Sequence, residues 1–272
     1  MKTMYLEFYQ LKEPPFNVTP DPRFLFFASR HREAFDLVRY GIEQRKGFIV
    51  LCGEVGSGKT TLCRAVLASL PAQVQAALVL NPLLTETQLI RAILQDLGLP
   101  SASRDRLNLI DQLNSFLLQR AREGLNVAVI IDEAQNLTPA VMEQIRLLSN
   151  LETDQHKLLQ IVLAGQPELK ARLALPELRQ LRQRILVACE LLPLNEVEVA
   201  CYLSYRLQVA GATAPDLFDP PATRLVHRHS GGIPRLINAL ADRALMAGFV
   251  AAAARIGKKE VIRAVEDLGG LL

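Results

Sequence analysis

From residue 48 onward the apolar positions follow two alternating rhythms. Short continuous runs, "GFIVLCG", "QAALVLN", "NVAVIIDE", "KLLQIVLAG" and "RILVACELL", are separated by stretches in which apolar residues recur every three or four positions. The continuous, β-branched runs predict strands buried on both faces, and the 3.6-residue rhythm predicts helices. Helices are expected over 59–70, in "TETQLIRAILQDLG" up to Gly98, over 104–122, and in "TPAVMEQIRLLSNL". The last of these opens with Thr138 as cap and Pro139 at the first helical position. Strands alternating with helices imply an α/β parallel sheet with right-handed crossovers. After Pro193 the strand rhythm stops and four helical segments follow: "NEVEVACYLSYRLQVAG", "PPATRLVHRHSG", "IPRLINALADRALMAGF" and "KKEVIRAVEDL". Ahead of the sheet the first thirty residues read as irregular: "FYQLKEPPFNVTPDPRFLFF" carries prolines 14, 15, 20 and 22, which exclude a regular helix there, and its aromatics predict a segment that packs onto something. "SRHREAFDLVRYGIEQRK" then reads as a helix with Ser29 as N-cap. The expected division is an N-terminal proline/aromatic segment with the first helix (1–46), an α/β domain (47–192) and a small all-α domain (193–272).

Composition narrows the setting. The chain has 272 residues, half of them hydrophobic, enough for one large domain and a smaller one. A net charge of +3 permits nucleic acid or an acidic lipid face as partner and demands neither. None of the four cysteines, Cys52, Cys63, Cys189 and Cys201, belongs to a C-x-x-C pair, so buried free thiols in a reducing compartment are expected rather than a metal site. The N-terminal "MKTMYLEFYQ" lacks the apolar core of a signal peptide. The longest uncharged apolar run, "ALMAGFVAAAA" (244–254), falls short of the roughly 20 residues of a membrane span and reads as a buried helix. A soluble, cytoplasmic chain is the expectation.

The candidate chemistry lies in two places. Gly53, Glu54, Val55, Gly56, Ser57, Gly58, Lys59 and Thr60 fit G-x-x-x-x-G-K-[ST] in full, with Thr61 following, between an apolar strand and a helix. Glycines allow successive N–H groups to turn toward phosphate oxygens, and the helix N-terminus adds positive potential. Lys59 can reach the β- and γ-phosphates, and the Thr60 hydroxyl can ligate Mg2+. "VAVIIDEAQ" supplies Asp132 at a strand end for the Mg2+ shell and Glu133 as general base for the attacking water. The bland alternatives are a chance glycine-rich loop and two acids that merely cap a strand. Together the motifs predict ATP binding and hydrolysis with Mg2+ as cofactor.

Six blocks in order, "MYLEFYQLKEPPFNVTPDPRFLFFASRHREAF", "GEVGSGKTTLCRAVL", "VIIDEAQNL", "IVLAGQPEL", "LRQRI" and "SGGIPRLIN", resemble the AAA+ ATPases of the ExeA type over nearly the whole length. That group includes the general secretion pathway A proteins and shorter MSHA pilus biogenesis ATPases (MshM-like). The larger members continue into a membrane segment and a peptidoglycan-binding region; a chain of this length is expected to be closer to the pilus-type members. The resemblance implies a P-loop AAA+ parallel sheet flanked by helices with a small helical lid. It implies Gln166 as the sensor-1 residue near the γ-phosphate, with helix capping beside Pro167 as the alternative. It implies a trans arginine finger before the fifth strand: Arg184 first, Arg182 as competitor, Arg179 less so. Arg235 matches the sensor-2 position, and an arginine opening a helix is electrostatically awkward without an anion nearby. Asn81 is a candidate restraint on Glu133, or simply a turn-forming Asn-Pro. Pro14, Phe16 and His31 are candidates for the adenine wall. The implied partners are further copies of the chain and a pilus or secretion assembly protein at the inner membrane, where the chain would sit peripherally. A DNA-associated ATPase of the transposition-regulator type is the runner-up, disfavoured by the balanced charge of the helical region. A nucleotide-binding scaffold without turnover is the third reading, and the intact acidic pair argues against it.

Overall fold

The computed structural model describes residues 4–17, 21–80, 83–99, 101–152, 157–214 and 216–269; Asn81 lies outside them. In chain order the elements are α1 (Met4–Phe8), α2 (Ser29–Glu43), β1 (Phe48–Gly53), α3 (Lys59–Ser69), β2 (Val74–Val79), α4 (Glu86–Asp96), α5 (Arg106–Arg122), β3 (Asn126–Ile131), α6 (Pro139–Leu148), β4 (Leu159–Gly165), α7 (Pro167–Leu173), α8 (Arg179–Arg182), β5 (Ile185–Leu191), α9 (Glu196–Val209), α10 (Pro220–Ser230), α11 (Pro234–Val250) and α12 (Lys258–Asp267). They fall into two compact units. One comprises Met1–His31, Glu54–Thr61 and Leu192–Leu272; the other comprises Arg32–Gly53 and Leu62–Leu191.

The second unit is built on a five-stranded sheet of order β2-β3-β4-β1-β5, with every pairing parallel. All residues of β1, β3 and β4 are buried, which is why those runs lack an alternating pattern. One face carries Phe48, Val50, Val129, Ile131, Ile161 and Leu163 against apolar residues of α4, α5, α6 and α7. Against β1 and β5 lies α2, so tightly that a Cβ on Gly41 would come within 2.7 Å of the Ile49 side chain. Thr85 opens α4 with a reciprocal capping box to Gln88, and Thr138 with Pro139 opens α6 as the sequence predicts. Gly98, at φ +78°, ends the α4 region, with Leu99 N–H donating to Leu94 O. The edge strand β5 is half-open, with Leu186 exposed.

The first unit has its own core. Tyr5, Phe16 and Phe24 from the N-terminal segment cluster with Val199, Leu203, Phe218, Ile237, Ala241 and Val261 of the C-terminal helices. Arg206 fastens that segment: its guanidinium donates to the Pro15 and Asn17 carbonyls and to the Tyr202 hydroxyl, and lies 4.8 Å from the Phe24 ring centroid. Tyr5 donates to Asp242 at 2.6 Å, and burial with that carboxylate pushes the phenol pKa upward. Three local expectations change. A short helix, α1, does form in the N-terminal segment, because it lies wholly ahead of Pro14. Ser29 is the first residue of α2 rather than its cap, and its hydroxyl donates to Glu198 at 3.0 Å. The run 244–254 is not one buried helix: α11 stops at Val250, Ala253 N–H closes onto Gly248 O, and Ala251 and Ala252 are exposed. Among the described residues no helix is long and apolar enough to cross a membrane. The thiols are free, but only Cys52 and Cys63 are buried; Cys201 is exposed on α9.

Candidate functional site

In the first unit, the loop Glu54–Thr61 is a compact turn. Gly56 and Gly58 sit at φ +78° and +99°, where a side chain is strained. Gly56 is also crowded, since a Cβ there would lie 2.5 Å from the Cβ of Arg235. The Arg235 N–H donates to the Gly56 carbonyl at 3.2 Å, so the start of α11 is bonded to the loop, and the Arg235 side chain is exposed. Behind the loop, His31 is 3% exposed, with Nε2 3.1 Å from the Ser57 carbonyl. The carbonyl can only accept, so Nε2 carries the proton. Nδ1 is then a buried acceptor without a partner among the described residues, and burial holds the ring's pKa below its ordinary value. The Ser57 hydroxyl, on a residue 1% exposed, also has no hydrogen-bond partner among the described residues. Lys59 is buried, and its ammonium donates to the Glu54 carbonyl at 2.9 Å. Thr60 is half-buried in the first turn of α3. Phe16 is a core side chain of this unit, its edge on Phe218 with ring centroids 6.0 Å apart.

In the second unit, Gly53, Asp132 and Gln166 stand at or just after the carboxyl ends of three neighbouring parallel strands, β1, β3 and β4. The crevice at such strand ends is where open parallel sheets bind ligands. Asp132 is 2% exposed; its N–H donates to the Val79 carbonyl and its carboxylate accepts from the Glu133 N–H at 2.9 Å. Glu133 adopts φ 52°, ψ 35°, a left-handed conformation that costs a non-glycine residue about 1–2 kcal/mol. Backbone strain of this kind concentrates where a side chain must be aimed. Its Oε2 accepts two carboxamide N–H bonds, from Gln135 at 2.6 Å and from Gln166 at 3.0 Å. Gln166 stands at the N-cap position of α7 but makes no side-chain cap bond, so its carboxamide serves Glu133 instead.

The three arginines before β5 differ. Arg184 is half-buried and donates to the Ser149 hydroxyl at 2.7 Å, Arg182 is exposed and donates to the Ala174 carbonyl, and Arg179 is exposed. Burial, with Arg184 nearby as second cause, lowers the pKa of the Lys157 ammonium. Reading the sequence alone passes over Gln135. Nothing in hydrophobic pattern or composition marks it; only its place two residues after Glu133 could have drawn attention.

Among the described residues no group of three or more His, Cys, Asp or Glu could hold a metal ion. A threonine hydroxyl and a buried carboxylate are hard oxygen ligands, and Mg2+ keeps waters and substrate phosphates for the remainder of its octahedron. The chain's own residues therefore suit Mg2+.

Residues 42–173 match the family model described as AAA domain. The chain is 46% identical over 269 residues to General secretion pathway protein A of Aeromonas hydrophila, covering 98% of this chain and 49% of that protein. It thus spans about half the length of that curated relative. Among solved structures, Cdc6p of Pyrobaculum aerophilum superposes with a TM-score of 0.71 at 14% identity, over 93% of this chain and 70% of that one. The RuvB Holliday junction branch migration motor of Thermotoga maritima gives 0.61 at 20% identity, over 89% and 70%. These likenesses establish the fold: an AAA-type parallel sheet flanked by helices, with a helical C-terminal region.

Proposed function

We propose that this chain, which matches the AAA domain model over residues 42–173 and is similar to General secretion pathway protein A, binds and hydrolyses ATP with Mg2+ and uses the cycle to drive assembly of a pilus or secretion apparatus at the inner membrane. In this reading residues 47–192 are the ATP-binding domain and 193–272 the lid. One observation carries it: Gly53, Asp132 and Gln166 stand at or just after the carboxyl ends of the three central parallel strands, and Gly53 leads directly into the remainder of G-x-x-x-x-G-K-T. Main-chain N–H groups of residues 54–60 cradle the triphosphate, with Lys59 as the charged contact. Thr60 and Asp132 would hold Mg2+, which would neutralise charge on the bound triphosphate. Glu133 accepts the proton of the attacking water, and Gln166 steadies that carboxylate from the end of β4. Arg235, tied by its backbone to Gly56, senses the γ-phosphate from the start of α11. Arg184, or Arg182, reaches the site of a neighbouring copy. The mechanical partner is an inner-membrane assembly protein, a reading supported by the 46% identity to a secretion-pathway protein.

The test is an ATPase assay of the purified chain alone, with duplex DNA, and with detergent-solubilised pilus or secretion components. Turnover stimulated by the assembly components supports the proposal, and strong stimulation by DNA alone overturns its assembly half. Glu133→Gln is expected to retain ATP binding, measured by a fluorescent analogue, while losing hydrolysis. Lys59→Ala is expected to lose both. Normal turnover by Glu133→Gln would remove Glu133 as the base.

A further inference from the structure

Gln135 occupies the short turn after β3, and both ends of its carboxamide are engaged. Its Nε2 donates to Glu133 Oε2 at 2.6 Å, and its Oε1 accepts from the backbone N–H of Gln166 at 3.0 Å. Only one orientation satisfies both, because a flipped amide would face its oxygen to the carboxylate and its NH2 to an N–H. The Gln166 side chain donates to the same Glu133 oxygen, so three residues close a ring: Gln135 to Glu133, Glu133 to Gln166, Gln166 back to Gln135. The surroundings are shaped to leave room for it. A Cβ on Gly165 would lie 3.0 Å from Gln135 Oε1 and 2.8 Å from Leu169 Cδ2, so glycine is what that position accommodates. The Arg172 guanidinium donates to the Gln135 and Leu137 carbonyls, fixing the turn from α7.

From this geometry we infer that Gln135 is a positioning residue for ATP hydrolysis: it couples the end of β4 to Glu133 and sets which carboxylate oxygen is left to face water. The inference rests on the function proposed above. With Oε2 occupied by two amide donors, the water-facing role passes to Oε1. Any movement of Gln166, whose side chain and backbone both belong to the ring, is transmitted to the base. A displacement of the base by about 1 Å is enough to lower a rate by roughly 100-fold.

The experiment compares wild type, Gln135→Met and Gln135→Glu in steady-state Mg-ATP hydrolysis, with binding of a fluorescent ATP analogue and a thermal melt for each. Gln135→Met keeps length and apolar bulk and removes both hydrogen bonds. It is expected to lower kcat roughly 10- to 100-fold. KM, analogue affinity and melting temperature should remain close to wild type. In Gln135→Glu a second carboxylate faces Glu133, and like charges disfavour ionisation, so the acid limb of the kcat–pH profile should move to higher pH. A wild-type kcat in Gln135→Met overturns the inference. So does a fall in kcat matched by loss of affinity and thermal stability, which would mark Gln135 as structural. A wild-type chain that binds no nucleotide, or never turns over, overturns the parent reading itself and is seen before either variant is made.

Discussion

The Nε2–H of His31 donates to the Ser57 carbonyl at 3.1 Å, which leaves Nδ1 as a buried acceptor without a partner among the described residues. Burial, only partly opposed by the Ser57 carbonyl and the Glu198 charge, lowers the ring's pKa from its ordinary value of about 6.5. The sign of the linkage follows. As pH falls below about 6.5 the unfolded chain takes up the proton before the folded one does, so the folded state loses stability. The loss continues until the lowered folded pKa is reached, and above about 7 the full stability is present. The slope contributed is at most about 1.4 kcal/mol per pH unit. Denaturant unfolding of wild type at pH 5, 6 and 7 should therefore show a decline that His31→Gln flattens. A variant with the same pH slope as wild type would assign the decline to other groups. The sequence marks this histidine only as a candidate beside the adenine; its hydrogen bond to the phosphate loop becomes visible once the fold brings residue 31 to residue 57.

At the level of elements, the glycine pair in "SGGIPR" separates two costs that the sequence merges. Both residues end α10 with positive φ, +57° at Gly231 and +76° at Gly232. A Cβ at Gly231 meets nothing within 4 Å, whereas at Gly232 it would lie 2.0 Å from the Leu194 carbonyl oxygen. Gly231→Ala should accordingly lose about 1 kcal/mol, the penalty of a left-handed alanine. Gly232→Ala must also displace the main chain at Leu194, whose N–H donates to the Gly232 carbonyl at 2.9 Å, and should lose several-fold more stability in the same denaturant melt. Equal losses would show that the loop before α9 yields freely. Helix starts and stops such as Thr138-Pro139 and Gly98 were legible because capping is local chemistry. The end of α11 was legible to within a residue, since the segment "IPRLINALADRALMAGF" stops at Phe249; what the apolar run 244–254 did not show is the turn beyond Val250, where Ala253 N–H donates to Gly248 O and the distant Tyr9 hydroxyl donates to the Ala253 carbonyl.

For the molecule as a whole, all five strands and the four C-terminal helices could be read from the chain, because a buried parallel sheet needs continuous apolar runs and surface helices need a stripe. The sheet order β2-β3-β4-β1-β5 could not, since pairing is settled by crossovers between distant segments, and with it the ring of Glu133, Gln135 and Gln166 stayed hidden. The same reasoning bears on the arginines before β5, whose role depends on a second copy of the chain. Within one chain Arg184 is held by Ser149 and Arg182 by a carbonyl of the α7 end, so each has a resting partner. If Arg184 completes a neighbour's site, Arg184→Ala and Lys59→Ala proteins are each inactive for different reasons and should complement one another. In a head-to-tail assembly mixed at random from equal amounts, about a quarter of the sites pair an intact Lys59 with a neighbour's intact Arg184. Mixing should therefore restore up to about a quarter of wild-type turnover, increasing with protein concentration as assembly proceeds. An arginine acting within its own chain predicts no recovery at any ratio. Recovery with Arg182→Ala in place of Arg184→Ala would transfer the role to the exposed arginine two residues earlier.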